Sequence, residues 1–190
     1  MDLVANAGWI NGVVLPRLRS ARDVHRAKEH LSEGMPILGL VETPEGVLAV
    51  DEIAAAGVSR LALGTADYSA ALGVAPSEAL LAYPRTRLVL ASAAVGISPP
   101  VDGPTLSIES THELTAETQS ARDLGMTGKL CIHPSQVPVV ATIFGSSASE
   151  VAWAQAILDA ASLNDDGVFV VNGEMVDAPV LARARKVLGQ

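Results

Sequence analysis

Glu42 and Asp67 are the two side chains whose type and spacing speak most directly of chemistry. Each follows a short aliphatic run, residues 36–41 and 60–64, that reads as a β-strand, and they stand 25 positions apart, the length of one strand-helix repeat. That spacing predicts two carboxylates at the same rim of a parallel sheet, on neighbouring strands about 4.8 Å apart. Two carboxylates so placed can share one cation, and magnesium suits them, since it takes one or two protein carboxylates and completes its octahedron with water and substrate oxygens. Each residue also has a plainer reading. Glu42 precedes Thr43-Pro44-Glu45, which opens a helix whose dipole favours an acid there. Asp67 reads as the cap of a short helix over 68–72.

Two further residues and one cluster are candidates. Asp177 stands before Ala178-Pro179, the pattern of an ordinary helix N-cap. His133, at a predicted strand end and followed by Pro134, either contacts a substrate or hydrogen-bonds the rim backbone, and the second role is favoured. Arg17, Arg19, Arg22 and Arg26 form the one local cationic cluster, read first as an exposed helix face and otherwise as a contact for a phosphorylated small molecule. His25, His30 and His112 show no zinc-ligand spacing, and no Ser-His-Asp order, P-loop or dinucleotide fingerprint appears.

The elements that must position these residues are short Val/Ile/Leu runs alternating with helical periodicity, the pattern of βαβ units around a buried parallel sheet. Strands are expected at 12–16, 36–41, 60–64, 87–93, 105–108 and 129–132. Helices are expected at 21–31, 44–56, 77–83 and 113–124. The tail reads as a helix at 149–161, a turn at Asp165-Asp166-Gly167, a strand at 168–171 turning through Asn172-Gly173, and a final helix at 178–188. About six βα units result, divided as a partial barrel domain, 1–145, and a C-terminal extension, 146–190. A closed eight-stranded barrel takes about 250 residues, so a chain of 190 is expected to leave its sheet open or covered by a neighbouring chain.

Within this frame the motifs resemble a known family. Val41-Glu42-Thr43, Glu52-Ile53-Ala54, Leu63-Gly64-Thr65-Ala66-Asp67 with Leu72-Gly73, Gly128-Lys129 with Cys131-Ile132-His133-Pro134-Ser135-Gln136, and the 173–180 segment occur in the order seen in the HpcH/HpaI aldolase and citrate lyase β-subunit-like family. The resemblance implies a (β/α)8 TIM-barrel fold, here without the first barrel strands, and Glu42 and Asp67 as magnesium ligands. It also implies Asp177 as a proton-transfer group reaching a neighbouring subunit's site, with Arg17, Gly64 and His133 on the substrate side. The implied activity is carbon-carbon cleavage or formation on an acyl-CoA thioester of the citramalyl-CoA, malyl-CoA or citryl-CoA type, with acetyl-CoA and a small oxo or hydroxy acid as partners. A non-catalytic CoA-ester or partner-binding remnant, and a metal-dependent aldolase for free pyruvate, are the alternatives. Two departures stand out: Arg17 takes the place of the family's lysine in its Leu-Pro-Lys motif, and Ser107 and Ser110 fall where many relatives carry acids.

Bulk properties narrow the classes. A net charge of −8 with dispersed cations and 3% aromatic residues argues against nucleic-acid binding. The longest apolar stretch, 88–97, is half of the roughly 20 residues a bilayer requires, so no membrane span is expected. Cys131 is the single cysteine, which fits a reducing cytoplasm. An open sheet edge predicts association, with a homotrimer favoured by analogy with the family.

Overall fold

A computed structural model describes residues 10–164 and 167–189; Asp165 and Asp166 of the expected turn lie outside them. The chain divides into two compact units, Met1–Phe144 and Gly145–Gln190.

The first unit is an α/β layer built on a parallel sheet. Its strands are β1 (Val13–Leu15), β2 (Ile37–Val41), β3 (Arg60–Leu63) and β4 (Ser98–Val101), hydrogen-bonded in that order. The helices are α1 (Ala21–Lys28), α2 (Pro44–Leu48), α3 (Val50–Ala55), α4 (Thr65–Ala71), α5 (Glu78–Val95), α6 (Thr111–Asp123) and, after a 3-10 turn at Pro134–Gln136, α7 (Val137–Phe144). In β2, Ile37, Gly39 and Val41 are buried while Leu38 and Leu40 are half-buried, so alternation assigns one face to the core. Ile37, Val41, Leu61, Leu63, Ile53 and Leu88 are 1% exposed or less, each contributing about 1.5–3 kcal/mol by burial. On the other face Val14, paired in register with Leu38, stays 58% exposed.

Several sequence expectations give way to a different arrangement. Residues 87–93 are not a strand but the second half of α5, which runs straight through Pro84. Leu81, Pro84, Arg85, Leu88, Ala91 and Ser92 are its buried positions, a helical period that the dense run of Leu and Val concealed. The fourth strand lies instead at Ser98–Val101, where two prolines weaken any strand signal, and its register against β3 shifts between Arg60 and Ala62. Residues 105–108 form no strand, and at 129–132 the ladder is reduced to one parallel bridge, Asp102 with Lys129. Among the described residues the first unit therefore holds four strands and a bridge rather than six strands. The helix expected over 44–56 is divided at Ala49 into α2 and α3.

The second unit comprises α8 (Ala148–Ser162), the antiparallel pair β5 (Phe169–Val171) and β6 (Glu174–Val176), and α9 (Ala178–Val187). Asn172 and Gly173 both take positive φ, 50° and 84°, as a tight primed hairpin turn demands. Ala154, Ile157, Val176 and Ala184 form its core. By length and hydropathy the stretch 134–162 would pass as a membrane-crossing segment, but residues 145–147 interrupt its helical structure.

Candidate active site

The site grows from the C-terminal ends of β2 and β3. Register pairs Val41 with Leu63, and the Gly64 N–H donates to the Val41 carbonyl at 2.9 Å, which sets Gly64 beside Glu42. Close approach is possible because position 64 has no side chain: a Cβ there would lie 2.4 Å from Glu42 Cβ and 2.7 Å from Oε2. Glu42 is thereby only 5% exposed. Its Oε1 accepts the main-chain N–H of Arg17 at 2.9 Å, and Arg17 turns its amide this way by adopting a left-handed backbone, φ 54°.

Thr43, not Glu42, caps α2, its Oγ1 accepting from Gly46 N at 3.1 Å. Glu42 is therefore free of the capping role. Asp67 likewise is not a cap: Gly64 occupies that position and Asp67 sits exposed in the first turn of α4. Burial, above all, raises the Glu42 pKa; the Arg17 amide pulls it down, while the Asp67 charge and a hydrogen bond shared with Asp67 raise it further. The two carboxylates are thus close enough to repel. The ion pairs made by Arg85, Arg87 and Lys129 all lie elsewhere. Two adjacent carboxylates, one desolvated and eased only in part by the Arg17 amide and charge, have the donor set of a hard divalent cation and suit magnesium. No group of three or more His, Cys, Asp or Glu occurs among the described residues, so a cage built of protein ligands alone is not present.

Arg17 also lines a cleft of roughly 230 Å³, together with Pro16, Asp23, Arg26 and His30. Arg17 and Arg26 of the cationic cluster thus share one concave surface, joined to Glu42 through the Arg17 amide.

The remaining sequence candidates, His133 and Asp177, make local capping contacts. His133 is exposed, and its Nδ1 is engaged by the Ser135 hydroxyl at 2.7 Å and the Ser135 N–H at 3.2 Å, a local cap of the 3-10 turn. Asp177, in the second unit, accepts from Val180 N at 3.1 Å and caps α9.

Sequence reasoning missed a buried ionic group in the first unit. Asp102, fully buried, receives Arg85 Nε at 2.9 Å, Arg85 Nη2 at 3.0 Å and Lys129 Nζ at 2.8 Å. Arg85 Nη1 also reaches Glu78 at 2.8 Å, and Lys129 lies 3.5 Å from Glu117, which accepts the Thr105 hydroxyl. Burial alone would lower the Arg85 pKa, but its bonds to Asp102 and the charges of Asp102 and Glu78 hold it above its usual value. Gln136 was missed as well: its amide donates to the Thr105 and Ser107 carbonyls and accepts from Ile132 N, at 3.0, 3.1 and 3.0 Å. Contacts across 17 to 31 positions obey no spacing rule; the signal available was Gln136 directly after His133-Pro134-Ser135.

The model of the family described as HpcH/HpaI aldolase/citrate lyase matches residues 2–134. A citrate lyase subunit beta-like protein of Deinococcus radiodurans is 35% identical, covering 98% of this chain and 69% of that protein. A (3S)-malyl-CoA thioesterase of Cereibacter sphaeroides is 30% identical, over 95% of this chain and 65% of that one. Among solved structures, CitE from Mycobacterium tuberculosis in complex with magnesium, acetoacetate and coenzyme A superposes with a TM-score of 0.79 and 32% identity, covering 94% of this chain and 67% of that chain. With the rim carboxylates, the parallel sheet and these matches together, the chain belongs to the HpcH/HpaI aldolase/citrate lyase family.

Proposed function

We propose that this protein is a magnesium-dependent carbon-carbon lyase for an acyl-CoA thioester of the citramalyl-CoA, malyl-CoA or citryl-CoA type, yielding acetyl-CoA and a small 2-oxo acid. The observation that carries the reading is the Glu42 and Asp67 pair, with Gly64 and the Arg17 amide bringing Glu42 to the rim. The similarity to a structure bound to magnesium, acetoacetate and coenzyme A supports it.

Glu42 and Asp67 would hold magnesium, which when bound supplies positive charge to orient the acid and to offset charge developing at an enolate oxygen. The chain's own residues do the rest. The Arg17 amide fixes one Glu42 oxygen, leaving Oε2 on the Gly64 side. Arg17 and Arg26 offer cationic charge to anionic parts of the thioester across their cleft. In cleavage the substrate hydroxyl gives up its proton, and the adjacent carbon-carbon bond breaks. Its electron pair passes into the thioester enolate, and a proton returns to that carbon. Asp177 of a neighbouring copy is assigned the proton transfer, in a homotrimer whose open sheet forms part of a (β/α)8 barrel wall; the family resemblance supports this assignment.

Titration calorimetry with magnesium and then acetyl-CoA tests the reading on the wild type, Glu42→Gln and Asp67→Asn. Magnesium binding in the wild type and its loss in both variants is expected. A wild type that takes up neither ligand would contradict it.

A further inference from the structure

The ionic group around Asp102 is costly to build. Asp102, Arg85 and the Lys129 side chain are fully buried, and three desolvated charges bind elements together less well than a well-packed apolar set of equal volume. Such a group is worth keeping where a position must be fixed. Asp102 is held through its main chain too: its N–H donates to the Gly128 carbonyl at 2.8 Å and its carbonyl accepts from Leu130 N at 2.9 Å. Side chain and backbone together leave this residue no slack.

The two residues after Asp102 press on the cation site. Gly103 lies so close to Thr65 that a Cβ at position 103 would be 2.4 Å from Thr65 Oγ1, 2.5 Å from its Cγ2 and 2.7 Å from the Leu63 carbonyl oxygen. The Thr65 hydroxyl donates to the Pro104 carbonyl at 3.2 Å. Thr65 is the first residue of α4 and is 3% exposed, and Asp67 stands two residues on in the same turn. An unbroken series of contacts therefore runs from Arg85 and Lys129 through Asp102 and Gly103-Pro104 to Thr65 and the turn that presents Asp67.

We propose that Asp102, clamped by Arg85 and Lys129, and Thr65 are positioning residues: they set the first turn of α4 against Gly103-Pro104 and thereby hold Asp67 at the height where it shares a cation with Glu42. The proposal rests on the magnesium reading of that pair. It says that cation affinity depends on residues that never touch the cation.

The test is magnesium titration of the full chain by calorimetry, with urea unfolding in parallel, on wild type, Glu42→Gln, Thr65→Val, Gly103→Ala, Asp102→Asn and the Thr65→Val/Asp102→Asn double variant. Each single positioning variant is expected to raise the magnesium Kd about ten-fold, with Thr65→Val keeping the wild-type unfolding midpoint. The double variant should lose no more affinity than the more impaired of its two single variants, because both act through one contact. Thr65→Val binding as tightly as wild type, or losses that multiply in the double variant, would overturn the proposal while leaving the magnesium reading intact if Glu42→Gln abolishes binding. No magnesium binding by the wild type would overturn both. Should Asp102→Asn fail to fold, Thr65→Val and Gly103→Ala decide the matter.

Discussion

A methyl group at position 64 would collide with Glu42 Cβ at 2.4 Å, so Gly64→Ala must displace the carboxylate that the Arg17 amide otherwise fixes. We expect this variant to fold with a loss of about 1–3 kcal/mol and to lose magnesium binding in titration. Glu42 itself carries a linkage signature. Its folded pKa is raised, so the native state holds the proton more tightly than the unfolded chain, and stability of the metal-free protein falls as pH rises from the ordinary glutamate value through the raised one. Asp23 has the opposite sign: its carboxylate, lowered chiefly by the Arg19 N–H, contributes stability that is lost in a more acidic window. Urea unfolding across pH should therefore show a decline above the ordinary glutamate value that Glu42→Gln abolishes; an unchanged slope would count against the buried-carboxylate geometry. Glu42 and Asp67 were legible because acids at successive strand ends follow the repeat. Gly64 was legible only as part of a motif, since its role is the absence of atoms across a strand pair.

At the scale of elements, helix and strand signals were readable where period and punctuation agreed. The parallel β1, β2 and β3, α6 and the Asn172-Gly173 hairpin follow from them. They failed together around α5 and β4. A helix containing Pro84 and a Leu-Val-Leu run looks like a helix end followed by a strand, and a strand spelled Ser-Pro-Pro-Val looks like a loop. Tertiary contacts decided instead, with Arg60 donating to the Pro99 carbonyl at 2.7 Å and Arg85 anchored to Asp102. In the loop between β4 and α6, Gln136 holds two of the carbonyls. Gln136→Leu removes three hydrogen bonds, one buried and two partly buried, made to two carbonyls and an amide, a loss of about 2–4 kcal/mol that thermal and urea unfolding should both register. A cost below measurement would show that the loop is held by other means.

For the molecule as a whole, the first unit contains the Glu42 and Asp67 pair and the buried ionic group around Asp102, and the second is a helix-hairpin-helix unit with its own small core. The proposed intermolecular role of Asp177 requires association, so sedimentation equilibrium should return the mass of three chains; a monomer at working concentration would remove the neighbouring copy from the mechanism. Composition, through a net charge of −8 and few aromatic residues, argued only against nucleic-acid binding, while the class of chemistry was legible in the spacing of the two acids and in the family motifs. The thioester's acyl group was not legible, because neither strand spacing nor the carboxylate pair distinguishes among acids that present the same oxygens to a cation.

The most direct measurement is to incubate the protein with citramalyl-CoA, malyl-CoA and citryl-CoA, with magnesium or with EDTA, and to separate the CoA species chromatographically. The account predicts acetyl-CoA together with the matching 2-oxo acid from at least one thioester, only with magnesium, and a fall of roughly 100-fold or more in Asp67→Asn. Free CoA appearing with the hydroxy acid intact would identify thioester hydrolysis instead, and no turnover of any of the three would contradict the assignment of carbon-carbon cleavage.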